Sequence, residues 1–269
     1  MKKFITLIAI LVPILTWSAE LFPNESPRPF TLADKLEQDA TIGGYPIWNN
    51  ESKWRIYDLI QTSSTGAAMS IPLGTVRLFQ TEGKNWVASM DVQSNLRRGK
   101  LIWSDVPCKR DDILFKMELI GGTEDNCLTI NHVTTFMENP SGKGTELYVL
   151  LKEQGINYPP TVLQVKLTRQ GTDGKRLIYT LWINPELAGF TRESERSWGR
   201  NPWHKSMSLR DPNKKLFIDK LSTWGMNFLK KMDDGLRQRE TAYAEIPSWR
   251  SVIDSNNQPV EIKKPVTLD

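Results

Sequence analysis

Apolar and polar residues alternate with a period of two in eight stretches of this 269-residue chain. That pattern commits most of the molecule to half-buried strands, because successive strand side chains point to opposite faces of a sheet. Trp54, Ile56 and Ile60 oppose Arg55 and Tyr57. Val76 and Leu78 flank Arg77, and Trp86, Ala88, Met90 and Val92 alternate with Ser89, Asp91 and Gln93. Leu101 and Trp103 alternate with Ser104, and Ile113, Phe115, Met117 and Leu119 with Lys116 and Glu118. Leu128, Ile130 and Phe136 share a side opposite Thr129, Asn131 and Thr135. Leu163, Val165 and Leu167, then Leu177, Tyr179, Leu181 and Ile183, complete the set. Gly83-Lys84, Gly121-Gly122 and Gly171-Thr172-Asp173-Gly174 supply hairpin turns, since glycine adopts the positive φ such turns need.

Two segments read as helix. The first covers 145–154 and ends at Gly155, with a strand as the alternative. In the second, Asp211 caps a helix with Pro212 at its first position. Phe217, Leu221, Trp224, Phe228, Met232 and Leu236 then recur at three- and four-residue spacing, which predicts an amphipathic helix to about Arg239. The expected fold is α+β and mainly β: a curved antiparallel sheet, or a partly open barrel, of about eight strands. One long C-terminal amphipathic helix packs on it, since strands with one dry face must curl or be covered. Residues 51–244 form a single domain, 20–50 an irregular N-terminal segment rich in proline and glycine, and 245–269 an extended C-terminal tail.

Met1, Lys2 and Lys3, the apolar run from Phe4 to Leu15 and the small residues before Glu20 form a signal peptide over 1–19, cleaved near Ser18-Ala19. Its apolar run is shorter than the roughly 20 residues of a membrane-spanning helix. No later stretch is long enough, so no integral membrane segment is expected after removal. A periodic partner to this reading is the cysteine pair, Cys108 and Cys127, nineteen apart. In an oxidising periplasmic or secreted location they form one disulfide. The formal charge of +4 falls to +2 without Lys2 and Lys3, which argues against a nucleic-acid partner.

Catalytic and phosphate-loop motifs such as GxSxG, SxxK, HExxH, CxxC and GxxxxGK[ST] do not occur. No cofactor and no metal site is expected. With two histidines in the chain, any imidazole chemistry uses His132 or His204. His132 has the parity of Leu128 and Ile130 and points at the dry face, where Asp105 or Asp58 would orient it as a general base. His204 lies in a rigid Asn-Pro-Trp-His loop with Arg196, Trp198, Arg200 and Trp203, a candidate surface site. Nine of the ten tryptophans follow the leader; Trp54, Trp86 and Trp103 are candidates to line an aromatic cavity in the concave side of the sheet. Trp182 has outward parity and calls for contact with a helix, loop or partner.

The residues therefore favour an exported soluble envelope protein that binds or scaffolds rather than catalyses. Its partner is an apolar small molecule or another envelope protein. The alternative is a periplasmic hydrolase-type enzyme using His132 with Asp105 or Asp58.

Overall fold

The alternating segments pair in an order that the sequence does not spell out. In the computed structural model the described residues are 20–48, 53–65, 70–97, 99, 106–119, 124–134, 145–171, 174–194, 197–236, 246 and 248–257. Among them are nine strands in two antiparallel sheets. A small hairpin joins β1 (Thr41–Ile42) to β2 (Tyr45–Pro46). The main sheet contains β3 (Arg55–Thr65), β4 (Ser70–Glu82), β5 (Asn85–Asn95), β6 (Phe115–Leu119), β7 (Glu124–Thr134), β8 (Thr161–Gly171) and β9 (Arg176–Ile183). Its order is β3-β4-β5-β9-β8-β7-β6. A three-strand meander therefore meets a four-strand meander along the β5–β9 seam.

The sheet is open, with β3 and β6 at its edges, and is not closed into a barrel. Seven of the eight alternating segments are strands of this sheet; the stretch at Leu101 and Trp103 lies outside the described residues. Hairpin turns occur where glycine supplies positive φ, at Gly83 (57°) and Gly174 (79°).

Five helices accompany the sheets among the described residues: α1 (Val106–Lys109), α2 (Thr145–Glu153), α3 (Lys205–Ser208), α4 (Pro212–Leu236) and α5 (Arg250–Asn257). Asp211 caps α4 through Oδ1, which accepts from the backbone N–H of Asn213 (2.9 Å) and Lys214 (3.2 Å). The apolar stripe of α4 lies on the inner face of the sheet. Phe217, Leu221, Trp224, Phe228, Met232 and Leu236 are all buried there with Leu128, Ile130, Val165, Tyr179 and Leu181. Each such large side chain stabilises the fold by about 1.5–3 kcal/mol through burial. Trp48 fits between helix and sheet, its ring 4.9 Å from Phe228 and 5.8 Å from Trp224, while its backbone N–H donates to the Tyr179 hydroxyl (2.9 Å). The inner face is thus covered by the protein's own side chains, aromatic rings among them.

Two register irregularities reverse the expected parity. Between β3 and β4 the pairing moves from Ile56↔Leu78 to Asp58↔Arg77, leaving Tyr57 as the extra residue of a bulge. Leu59, not Asp58, then follows Ile56 into the core. Between β4 and β5 the pairing steps from Gln80↔Ala88 to Thr81↔Trp86, with Val87 extra. This sends Trp86 to the outer face. There it joins Phe79, Val162 and the α2 residues Leu147, Leu150 and Leu151 in a second cluster. Trp182, of outward parity, packs against the same cluster.

The stretches 20–48 and 248–257 are more tightly held than their composition suggests. In the 20–50 segment, Leu21, Phe22, Ile42, Ile47 and Trp48 belong to the core. The Glu20 carboxylate accepts from the N–H groups of Phe22, Gly43 and Gly44 and from the Thr41 hydroxyl, at 2.8–3.1 Å. The expected extended tail holds α5 instead. Ile246, Trp249, Val252 and Ile253 recur at helical spacing and are buried against the core.

Candidate functional site

Two of the sequence candidates, far apart in the chain, meet at the end of β7. His132 stands on the inner face beside Leu163 of β8 and is completely buried. The loop before α4 crosses this end of the sheet. Its short 3₁₀ turn at Trp198–Arg200 closes on the Ser197 carbonyl, which accepts from the N–H groups of Arg200 and Asn201. Asn201 fixes the loop: fully buried, it donates from Nδ2 to the Thr161 hydroxyl of β8 (2.8 Å) and accepts from the Trp203 N–H at Oδ1 (2.8 Å).

This anchoring lays the half-buried Trp198 ring on the His132 imidazole, with centroids 3.9 Å apart and planes within 23°. His132 Nε2 lies 3.2 Å from the Trp198 carbonyl oxygen. A carbonyl only accepts, so Nε2 carries the proton and Nδ1 is an acceptor. Nδ1 is buried and has no hydrogen-bond partner among the described residues. Burial pushes the His132 pKa down to about 4, against a smaller upward pull from the Trp198 carbonyl. The ring is therefore neutral at neutral pH. His204 completes the group edge-on, 5.9 Å from His132, and caps α3 by accepting the Ser206 N–H at Nδ1 (3.3 Å).

The disulfide brings a third chain segment to the site. Cys108 at the end of α1 is joined to Cys127 of β7, with Cα atoms 6.1 Å apart. The residues that follow run along the sheet edge to the Trp198 ring, and the Arg110 guanidinium lies 5.5 Å from its centroid. Asp112 grips Arg110 with two hydrogen bonds, from Nε (2.9 Å) and from the terminal nitrogen (2.6 Å). That pairing raises the Arg110 pKa and lowers that of Asp112. Lys205 of α3 donates to the Asp111 carbonyl (2.7 Å), tying the two loops together.

Other candidates lie elsewhere. Asp58 and His132 do not meet: β3 and β7 are five strand spacings apart, ~24 Å. Asp58 instead pairs with Arg77 on the outer face (3.3 Å). Asp105, Trp103 and Arg196 lie outside the described residues. Trp203 is fully buried, packed on Phe190 (4.9 Å) and Phe217, with the Lys214 ammonium 5.0 Å from its ring, so it supports the loop from beneath rather than facing solvent. Arg200 is exposed. Trp54 and Trp86 are buried on opposite faces of the sheet and cannot line one cavity.

The sequence reading missed Asn201, whose signal was the Asn-Pro pair before Trp203. Among the described residues no three His, Cys, Asp or Glu gather as metal ligands, and no helix is long and apolar enough to cross a membrane.

An open seven-stranded antiparallel sheet gripping one long helix, with an aromatic-arginine cluster at one end, is the class that fold and site define. In comparisons with known proteins, no family model and no curated protein matches the chain.

Proposed function

We propose that the protein is an exported, non-catalytic component of the cell envelope that binds another envelope protein through the surface around Trp198, Arg110 and Arg200. The observation that carries this reading is the stack of half-buried Trp198 on the buried, neutral His132. A tryptophan fixed before any encounter loses little side-chain freedom on binding, and tryptophan and arginine are the residues that most often dominate contact energy. The joined cysteines suit an oxidising compartment, in line with the leader. A macromolecular partner fits better than an apolar small molecule, because α4 fills the concave face. For His132, the bonded ring nitrogen faces a carbonyl, and Asp58 lies on the opposite face of the sheet.

The test is in-cell crosslinking of the wild type, Arg200→Glu and Trp198→Ala, with unfolding midpoints measured alongside. One crosslinked partner should disappear in both variants while Arg200→Glu keeps its wild-type midpoint. Identical crosslinks in all three proteins would end the proposal. So would recovery of the protein from the cytosol with Met1 retained and both thiols open to alkylation.

A further inference from the structure

The two edges of the main sheet are protected differently. On one side β6 is short, 5 residues, and carries Lys116 and Glu118, features that discourage a further strand. On the other side β3 runs for 11 residues. Its first part is closed off. Lys35 bridges Arg55 antiparallel, the Ile56 N–H donates to the Asp34 carbonyl (2.7 Å), and the Ile56 carbonyl accepts from Ala33 (2.8 Å). The bulge at Tyr57 follows. From Leu59 to Thr65 no such device is present. The stretch reads Leu-Ile-Gln-Thr-Ser-Ser-Thr, without charge or proline, and among the described residues no segment pairs with its open edge. Gln61, Thr62 and Ser63 are exposed.

Backbone geometry specifies what this edge accepts. The bonds to Asp34 and Ala33 turn the N–H and C=O of Ile56 away from β4. Beyond the bulge, Asp58 pairs with Arg77 and turns its groups toward β4. Alternation then sets the groups of Leu59, Gln61, Ser63 and Thr65 on the open edge. Thr62 is the midpoint of this stretch, which is bounded by the bulge at one end and by the end of the strand at the other.

We propose that β3 pairs antiparallel with β3 of a second copy of this chain, about a two-fold axis at Thr62. In that register Leu59 lies opposite Thr65 of the second copy and Gln61 opposite its Ser63. Every edge-facing residue is used, each such pair exchanging two backbone hydrogen bonds. At the positions between, Ile60 meets Ser64 and Thr62 meets itself. Threonine pairs are favourable across strands, and no like charges face each other. A second copy is favoured over a foreign strand because it matches the open stretch in length and in its lack of charge. The contact is on the sheet edge farthest from β6 and is independent of the Trp198 surface.

The experiment is sedimentation equilibrium of the full-length processed protein. Strand pairing alone buries less than a standard interface, so a reversible monomer–dimer equilibrium is expected at about 10–500 μM. Ser63→Pro removes an edge-facing N–H that the β3–β4 ladder does not use; it should keep the wild-type unfolding midpoint and weaken dimerisation at least about tenfold. Thr62→Lys sets two ammonium groups against each other at the axis and should weaken it likewise, with partial recovery in high salt. Under mild oxidation Thr62→Cys should form a covalent dimer and Ile60→Cys should not, because only residue 62 meets its own copy. A wild-type protein still monomeric at about 1 mM would overturn the proposal. So would a dimer that Ser63→Pro and Thr62→Lys leave intact, or equal crosslinking of the two cysteine variants.

Discussion

Two buried ionisable groups should give this protein opposing pH dependences that hide each other until one is removed. His132 has a pKa of about 4 in the folded chain, against 6.5 when unperturbed. Its folded pKa is depressed, so the unfolded chain takes up the proton first. The stability due to its neutral form is present above pH 6.5 and lost as pH falls toward 4, by ~3 kcal/mol. Asp91 behaves oppositely. Burial raises it to about 7 from 3.8, although Arg77 pulls it down. Its folded pKa lies above its unfolded one, so the folded chain holds a proton that the unfolded chain releases. Stability then increases as pH falls from 7 toward 4, again by ~3 kcal/mol. Asp91 on β5 and His132 on β7 lie three strand spacings apart, ~14 Å, on opposite faces of the sheet, so their effects should add. Urea unfolding at pH 7 and pH 4 therefore has a definite signature. Asp91→Asn should lose stability on acidification relative to wild type, by ~3 kcal/mol, while His132→Gln should gain by a similar amount. Every other titrating group is common to the two variants and cancels in their difference, expected at ~6 kcal/mol. Equal changes in both variants would show that neither burial acts as described.

Three further perturbations probe the frame around the site. Replacing both Cys108 and Cys127 by serine should lower stability by ~3 kcal/mol in the chain-entropy view of their loop, measured as a urea midpoint shift. Trp249→Ala should cost about 3–5 kcal/mol if the segment before α5 is as firmly seated as its full burial indicates; a cost near zero would restore a loosely attached tail. Gly225→Val should lower the thermal midpoint by the equivalent of about 1–3 kcal/mol, because a Cβ at this position of α4 meets Leu128 side-chain atoms at 3.0 and 3.1 Å.

Strand parity and helical spacing made the main elements legible, since each is a local consequence of which side of the chain faces the core. Asp211 stops and starts structure within three residues of itself, and α4 follows from it and from six spaced apolar side chains. The bulges were not legible. Tyr57 and Val87 are apolar enough for either face, and one extra residue leaves no mark on composition. The consequences were large all the same, because a shift of one residue exchanges the faces of everything beyond it. That is why Asp58 was expected inside and is paired with Arg77 outside, and why Trp86 was assigned to the wrong cluster. At the C-terminal end, the prolines at 247 and 259 masked the helical spacing of Ile246, Trp249, Val252 and Ile253.

The site was legible in its parts and not in its assembly. His132, Trp198 and His204 each drew notice from their chemistry, but nothing local joins residues 66 positions apart. Their meeting depends on β8 lying next to β7, and on Thr161 at the start of β8 holding the buried Asn201. Asn201 is thus a positioning residue for a contact it does not make. The same sheet order that separates Asp58 from His132 brings Trp198 to it. The Asp58–His132 pairing is thus ruled out by strand adjacency, and an aromatic stack stands on the His132 ring.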